Sequence, residues 1–374
     1  MLDETNLRAT ERAVFELRTL YRRHGYLPYK MSKFEEYDFY VRNKDFLVSD
    51  SVITFTDTNG KLMALKPDVT LSIIKNYQDE PGCFQRVYYN ENVYRVAGDT
   101  HEYKEILQTG IECIGSVDRF TILEVLRLAA ESLQTLSGSF MLEVSHMGIL
   151  AGLLKQAGTD DSFNARATAC IGEKNAHELR SLCEQEGLSA DLTDRLCRFV
   201  SIYGRRDKVL KELKDLCVGD EMLAAYEELQ MISAALDATK FSSSINFDFS
   251  LVNDMKYYNG IVFQGFVEGV PEVILSGGQY DRLMKRIGRS SGAIGFALYL
   301  DLLENLRTSS RKYDVDVVLL YDGQSDPGEL GETVKALISS GKTVSVQKAV
   351  PSKLSYKELM KFNGKGVELL EQND

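Results

Sequence analysis

The feature that most constrains this fold is a set of paired β-strand signals that a long helical stretch interrupts. Residues 29–66 alternate apolar and polar positions in short runs, and Asn59-Gly60 marks a hairpin turn. A second strand pair is predicted at residues 83–98 and 104–116, around the polar loop Gly98–Glu102. Strand patterns return after residue 245, which predicts one antiparallel sheet assembled from both sides of the interruption.

The remaining segments predict helices around that sheet. Residues 5–24 carry apolar positions on one helical face and Gly25 follows as a stop, and residues 119–138 repeat the pattern. From 146 to 240 nearly every residue favours helix, and the last sixty residues read strand, helix, strand. We therefore predict an α+β protein with three parts: residues 1–145 plus 245–310, a helical insert at 146–244, and a small α/β unit at 311–374.

Composition excludes several classes of protein. A net charge of −11 argues against binding bulk nucleic acid or an anionic membrane, because both require a basic face. The six cysteines lack metal-ligand spacing and predict reduced core residues, and no nucleotide-loop or zinc motif occurs. No signal region or membrane-length apolar run is present, so we expect a cytoplasmic protein with neither metal nor cofactor.

A few polar residues are candidates for a ligand site. Gln108 and Glu112 are four apart on a predicted strand, which places both on one face about 13 Å apart. Asp68 and Thr70 are predicted to share a face just beyond the hairpin, and Tyr257-Tyr258 to point to opposite faces of a strand. Carboxylates and amides facing one pocket would suit an ammonium group or an imidazole N–H.

Each candidate also has an ordinary structural interpretation. Strand carboxylates and amides are usually solvated, paired tyrosines usually pack in a sheet, and Gly277-Gly278 fits either a close ligand approach or a bulge. His101 and His146 are interpreted as a loop residue and a helix start, because neither has a catalytic partner nearby in the sequence.

Five segments in order make the pattern specific. FTDTNGKLMALKPDVT, VYRVAGDTHEYKEILQTGIECIG, MKYYNGIVF, LSGGQYDRL and GAIGFALYLDLL resemble the catalytic domain of class II histidyl-tRNA synthetases over residues 4–310. Within that superfamily they look most like the regulatory subunits of short-form ATP phosphoribosyltransferases. The resemblance implies an antiparallel sheet of six or seven strands with flanking helices, and a dimer formed through the first motif. It also implies that residues 311–374 are a truncated anticodon-domain-like unit.

The resemblance implies which residues of this chain form a histidine-binding pocket. Asp68, Thr70 and Gln108 match positions that hold the α-amino group of histidine. Glu112 and Tyr258 match positions that read the imidazole. Tyr257 and Tyr280 match aromatic positions of the same pocket. Asp68 replaces the glutamate usual in synthetases.

The positions that bind ATP are only partly kept. Arg95 occupies the second-motif arginine position and is a residual nucleotide or anion position, but the glutamate two residues later is Ala97. The catalytic arginine of the RGLDYY pattern is Asn253, and the GxER ending of the third motif reads Tyr299-Leu300-Asp301-Leu302. Losing two charge-assisted contacts, each worth about 1.5–3 kcal/mol, predicts that this chain cannot activate histidine.

These patterns together predict a non-catalytic subunit that activates the short-form ATP phosphoribosyltransferase catalytic subunit and makes it sensitive to L-histidine. By resemblance it forms a homodimer within a hetero-octamer and binds no tRNA. Two alternatives stay open: a divergent histidyl-tRNA synthetase or histidine-activating enzyme, and another histidine sensor, such as one that binds uncharged tRNA.

Overall fold

The structure is a computed structural model that describes residues 7–43, 47, 52–78, 84–97, 100–252, 257–306, 312–364 and 366–373. The chain divides into two compact units, residues 1–306 and 307–374. Among the described helices, none has the length and apolar character needed to cross a membrane.

The helices are α1 (Ala9–Arg23), α2 (Tyr37–Arg42), α3 (Val69–Asn76), α4 (Arg119–Leu136), α5 (Met147–Ala157), α6 (Asp161–Gly172), α7 (Ala176–Gln185), α8 (Ala190–Phe199), α9 (Arg206–Lys214), α10 (Asp220–Asp237), α11 (Asp281–Arg286) and α12 (Pro327–Ser339). In the described residues, 3₁₀ helices span Ser242–Ser244 and Leu300–Leu306. The strands are β1 (Leu27–Pro28), β2 (Phe34–Glu36), β3 (Thr54–Thr56), β4 (Leu62–Leu65), β5 (Gln85–Val96), β6 (Tyr103–Gly115), β7 (Phe140–His146), β8 (Tyr203–Arg205), β9 (Ile245–Asp248), β10 (Ile261–Val267), β11 (Leu275–Gln279), β12 (Gly292–Tyr299), β13 (Val315–Leu320), β14 (Val344–Gln347), β15 (Tyr356–Phe362) and β16 (Val367–Gln372).

The central sheet of the larger unit has nine strands in the order β1-β5-β6-β12-β11-β10-β7-β9-β8. Its middle is antiparallel as predicted, whereas β1 pairs with β5 and β7 pairs with β9 in parallel. The expected count of six or seven strands is therefore too low. Two of the additional strands, β1 and β8, span only two and three residues, which is too short for alternation to reveal.

The predicted hairpin forms β3 and β4 of a separate three-stranded sheet, β2-β4-β3. The Asp57 carboxylate accepts hydrogen bonds from the backbone N–H groups of Asn59 and Lys61, both at 2.8 Å. Gly60 adopts a φ of +80°, a conformation that glycine enters without steric strain. These contacts hold the turn between β3 and β4, the strand that precedes α3.

Several helices of the larger unit begin at a residue whose side chain caps the first turn, and they bury an apolar stripe. The Asp118 carboxylate caps α4, whose buried residues include Val125 and Leu126. Helix α4 packs against α1 and against the sheet strands β10 and β12. Helices α5 to α10 share the same buried core, through residues such as Leu153 and Leu229. The proposed boundaries of the helical insert stay a prediction.

The smaller unit is a four-stranded sheet, β14-β13-β15-β16, with one described helix, α12. The predicted strand–helix–strand unit corresponds to β13, α12 and β14, in which the two strands run parallel. Strands β15 and β16 add an antiparallel pair that the sequence interpretation did not assign. Val317, Leu319, Met360 and Phe362 form its core.

Five of the six cysteines lie in the described part of the chain, and each is a buried free thiol: Cys113, Cys170, Cys183, Cys197 and Cys217. Cys83 falls outside the described residues. For these five, the predicted role as reduced core residues is confirmed.

Candidate functional site

A cavity of about 1200 Å³ opens over one face of the central sheet in the larger unit. Strands β6, β11 and β12 form its floor, and its walls come from the start of α3, the residues before β10, and helices α5 and α6. All eight residues singled out from the sequence line it: Asp68, Thr70, Arg95, Gln108, Glu112, Tyr257, Tyr258 and Tyr280. The fold thus brings together residues that are more than two hundred positions apart along the chain.

Asp68 and Thr70 lie at the N terminus of α3, so the predicted strand geometry for them is wrong. The Asp68 carboxylate caps the helix by accepting a 2.7 Å hydrogen bond from the Leu71 N–H. Thr70 is in the first turn, where its hydroxyl donates to Glu112 at 2.6 Å. Both residues still reach the cavity, because the helix starts directly beside β6.

Glu112 is the most buried carboxyl of the site, with 1% of its surface exposed. Its two oxygens accept hydrogen bonds from the hydroxyls of Thr70, at 2.6 Å, and Tyr280, at 2.5 Å. Burial raises the pKa of Glu112 to about 8, and these two hydrogen bonds oppose that shift. The described contacts supply no ion-pair partner for this carboxylate, so a ligand that brings a cation or an N–H donor would complete it.

Gly295 makes room for Glu112. The two residues face each other across the β6–β12 pair, and a Cβ atom at position 295 would lie 1.8 Å from a Glu112 carboxylate oxygen. A side chain at this position would therefore displace the carboxylate. The importance of Gly295 depends on the strand register, so no local sequence pattern indicates it.

Asp68 and Arg95 carry opposite charges and lie side by side, one level further out in the cavity than Glu112. Gln108 shares the cavity face of β6 with Glu112 and is 3% exposed. The Arg95 guanidinium donates to the Pro67 carbonyl at 3.2 Å, immediately before Asp68. Burial raises the pKa of Asp68, while Arg95 and two backbone N–H groups oppose the shift. A cation beside an anion complements the zwitterionic backbone of a free amino acid.

Tyr257 and Tyr258 precede β10 rather than lying on a strand, and both line the cavity, so the prediction of opposite faces is wrong. Their rings pack edge to face at 4.8 Å, and Tyr257 also contacts the Tyr280 ring at 5.8 Å. A Cβ atom on Gly278 would lie 2.7 Å from the Tyr258 ring. Because β11 keeps a continuous register with both neighbours, Gly278 serves close packing and is not a bulge.

Several lining residues escaped the sequence analysis. One face of α5 contributes Ala151, Leu154 and Lys155, and one face of α6 contributes Asn164, Ala165 and Thr168. Their periodicity marks helices but gives no sign that these faces meet the sheet across a cavity. Ser276, Arg282 and Tyr299 also line it. Only the assembled topology reveals these residues.

The two histidines behave as interpreted. His146 caps α5, since its Nδ1 accepts the Gly148 N–H at 3.0 Å while Nε2 lies 2.9 Å from a Glu228 oxygen. His101 is an exposed loop residue with a φ of +55°. Within the part of the chain that the structure covers, no cluster of three or more His, Cys, Asp or Glu side chains could hold a metal ion.

At two positions that would bind ATP in a synthetase, the described residues are apolar, unlike those around Glu112. Leu302 lies in the 3₁₀ helix Leu300–Leu306 and packs against the main hydrophobic core. Ala97 follows the end of β5 and carries no polar group. Asn253 and residues 98–99 lie outside the described residues. In the described part of the chain, the cations that line the cavity are Arg95, Lys155 and Arg282.

Comparison with known proteins agrees with this architecture. The family model described as histidyl-tRNA synthetase matches residues 2–303. A crystal structure from Bacillus halodurans C, described as an ATP phosphoribosyltransferase regulatory subunit/histidyl-tRNA synthetase, has a TM-score of 0.76 at 23% identity and covers 94% of this chain and 93% of its own. The chain belongs to the histidyl-tRNA synthetase family of class II synthetase-like folds, which confirms the predicted fold class.

A finer assignment comes from a curated relative. The ATP phosphoribosyltransferase regulatory subunit of Oceanobacillus iheyensis is 30% identical over 288 residues, which cover 76% of this chain and 71% of that protein. Within the synthetase-like family, this chain therefore belongs with the ATP phosphoribosyltransferase regulatory subunits. A chain of the ATP phosphoribosyl transferase (HisG:HisZ) complex from Thermotoga maritima shares the fold, with a TM-score of 0.62 at 20% identity and coverage of 80% of this chain and 97% of that one.

Proposed function

We propose that this chain is a non-catalytic regulatory subunit that binds free L-histidine in the cavity and transmits that binding to a short-form ATP phosphoribosyltransferase catalytic subunit. The catalytic partner transfers phosphoribosyl from phosphoribosyl pyrophosphate to ATP. The regulatory subunit raises that activity, and histidine reverses the increase. The observation that carries the proposal is the buried Glu112 carboxyl, held by two hydroxyls at the end of a cavity whose next charges are Asp68 and Arg95.

The proposed ligand pose follows from this order of charges. The imidazole N–H donates to Glu112, which accepts hydrogen bonds and is shielded from water. The ammonium group lies at Asp68, Thr70 and Gln108, and the carboxylate faces Arg95. The rings of Tyr257, Tyr258 and Tyr280 enclose the side chain, and their mutual contacts limit their movement. Histidine matches all three polar requirements at once, because it combines a zwitterion with an N–H on a planar ring.

The residues at two sequence positions that match arginines of the synthetases support the absence of activation chemistry. Adenylate formation requires cations to clamp a triphosphate and to stabilise the charge that develops in the transition state. Leu302 packs against the hydrophobic core, so this position presents no charge to the cavity. Asn253 cannot supply a guanidinium either, whatever its placement. We therefore assign no catalytic residue to this chain.

Coupling to the partner is proposed as a linkage effect. Histidine favours one arrangement of the regulatory subunit, and the partner's activity depends on that arrangement, with a coupling free energy of typically 1–3 kcal/mol. The assignment of the Oceanobacillus iheyensis relative and the Thermotoga maritima complex support the choice of partner. A homodimer within a hetero-octamer, and no role in tRNA binding, complete the proposal.

The direct test is reconstitution with the catalytic subunit from the same organism. Phosphoribosyl-ATP formation is measured with and without this chain while L-histidine is titrated. We expect activation by the wild-type chain that histidine reverses, and activation without histidine sensitivity by Glu112→Gln. Glu143→Gln is the matched control, because Glu143 is a half-buried strand carboxyl outside the cavity.

Other outcomes separate the alternatives. No effect on the catalytic subunit, together with histidine-dependent ATP–pyrophosphate exchange by this chain alone, would replace the proposal with a histidine-activating enzyme. No effect and no exchange, with retained histidine binding, would favour a different histidine sensor. Histidine inhibition that survives in Glu112→Gln would contradict the pocket assignment.

A further inference from the structure

Tyr299 is a large side chain at one end of an otherwise small-residue strand face in the cavity. Strand β12 places Gly295, Ala297 and Tyr299 on the cavity side, while Leu298 on the opposite side is fully buried in the core. Gly295 pairs directly with Glu112 and Tyr299 pairs directly with Gln108. Directly opposed residues share a face with Cβ atoms about 4.5–5.5 Å apart, so Tyr299 stands beside Gln108.

The register also orders the polar residues along the floor. Arg95 on β5 pairs with Lys104 on β6. Lys104 is four residues before Gln108, so it lies on the same face of the strand and is about 13 Å further from Glu112 than Gln108 is. The Arg95 hydrogen bond to the Pro67 carbonyl draws its guanidinium back toward Asp68. Glu112 is thus innermost, Gln108 and Tyr299 lie at the middle level, and Arg95 approaches from the outer side.

This order fixes where the carboxylate of the proposed ligand lies. With the imidazole at Glu112 and the ammonium group near Asp68 and Gln108, the Cα atom lies at the level of Gln108. The carboxylate on that carbon is then beside the Tyr299 ring and directed toward Arg95. A free carboxylate places only two oxygens beside the Tyr299 ring. A larger group bonded to the carboxylate would have to occupy the space next to that ring.

We infer that Tyr299 is a specificity-determining residue that admits amino acids with a free carboxylate and rejects those extended at the carboxylate by a bulky group such as a nucleoside. The inference rests on the proposed histidine pocket and goes beyond it by naming what the pocket excludes. The volume of the cavity alone predicts the opposite, since about 1200 Å³ would accommodate a much longer ligand. A binding measurement therefore distinguishes rejection of the extended ligand by Tyr299 from its acceptance on the basis of cavity volume.

The test compares L-histidine with L-histidyl-sulfamoyl adenosine, a stable compound that keeps a negative charge beside the acyl carbon and adds a nucleoside. Calorimetry on the wild-type chain is expected to give at least tenfold weaker binding for the extended compound. Tyr299→Ala is expected to bind the extended compound at least tenfold more tightly than the wild type does, while its affinity for histidine changes less than threefold. Tyr299→Phe keeps the ring and is expected to behave as the wild type, as is Tyr103→Ala, whose side chain is exposed outside the cavity.

Three results would overturn the inference. Equal binding of the two compounds by the wild type would show that the ring excludes nothing. Unchanged discrimination in a Tyr299→Ala chain that still binds histidine would assign the selectivity elsewhere, and loss of discrimination in Tyr299→Phe would replace the steric argument with one based on the hydroxyl. Absence of histidine binding in the wild type is a different failure, because it would overturn the proposed function and the inference with it.

Discussion

The two ends of the cavity floor differ in what their side chains contribute. At the inner end, Glu112 is buried and both of its oxygens are engaged by hydroxyls. At the outer end, Tyr299 stands where the synthetase-like motif has a glycine, and Leu302, at the arginine position of that motif, packs against the core. One sheet therefore carries the proposed amino-acid site beside positions where the charged residues of the synthetase pattern are replaced. Under the proposed function, this fold keeps amino-acid recognition while the residues required for activation are replaced.

The largest expected effect comes from the inner end. Glu112→Gln keeps the shape but cannot form the carboxylate that a bound imidazole N–H favours, and Tyr258→Ala removes the ring that fills the space over Gly278. We expect histidine affinity to fall by about one to two orders of magnitude in Glu112→Gln, from the 1.5–3 kcal/mol typical of hydrogen bonds to charged groups. Calorimetry measures the affinity, and size-exclusion chromatography with the catalytic subunit checks that assembly is retained. Unchanged histidine affinity in both variants would contradict the assignment of the inner end.

A second variant disturbs the inner end without removing any polar group. Gly295→Ala places a methyl group where a Glu112 oxygen lies, so the carboxylate must move. We expect histidine affinity to fall at least tenfold in the same calorimetric titration. Gly138→Ala is the matched control, because a Cβ atom there meets nothing within 4 Å. Wild-type binding by Gly295→Ala would mean that the position of Glu112 does not determine recognition.

A third prediction concerns protons. Burial raises the pKa of Glu112 from 4.5 to about 8. Between pH 4.5 and pH 8, Glu112 therefore keeps its proton in the folded chain and loses it in the unfolded chain. The free energy of unfolding is thus expected to fall as pH rises from 4.5 to 8, by an amount on the order of a few kcal/mol that Glu112→Gln abolishes. Urea denaturation at several pH values measures it, and identical slopes for wild type and variant would refute it.

The same group links ligand binding to pH. A bound imidazole N–H favours the charged carboxylate and lowers the pKa of Glu112, so histidine binding at pH 7 is expected to release protons. Calorimetry in two buffers with different ionisation enthalpies measures this release directly. Equal proton release by the wild type and Glu112→Gln would place the titrating group elsewhere, with Asp68 as the next buried carboxyl to examine.

The smallest effect is expected in the C-terminal unit. Gly331 lies within α12 and a Cβ atom there meets nothing within 4 Å, so Gly331→Ala is expected to stabilise this unit by about 0.5–1 kcal/mol. Thermal unfolding followed by circular dichroism measures the change, and histidine affinity is expected to stay at the wild-type value. A change in histidine affinity would show that this unit takes part in ligand binding.

The sequence supported predictions wherever a local pattern determines the structure. Asn59-Gly60 specifies its hairpin through the Asp57 contacts, and the four-residue spacing of Gln108 and Glu112 puts both on one strand face. The chosen site residues converge on one cavity, although their binding of histidine stays a prediction.

The misinterpretations arose where local patterns are ambiguous. Asp68 reads as the end of a strand run, but its carboxylate caps α3 because that helix packs against the sheet. Tyr257-Tyr258 resembles the start of a strand, although the regular pairing begins at Ile261. The contributions of Asn164 and Thr168, and the roles of Gly295 and Tyr299, depend on strand register and on helices folding back over the sheet. No local pattern in the sequence encodes these relations.

The comparison of the two ends is tested most directly by titrating L-histidine into the wild-type chain, first alone and then with magnesium ATP and a pyrophosphatase. We predict saturable histidine binding with the same affinity in both titrations and no continuing heat after saturation. Sustained heat that requires both histidine and ATP would show that the outer end still activates the amino acid. Absence of histidine binding in the first titration would contradict the assignment of the inner end.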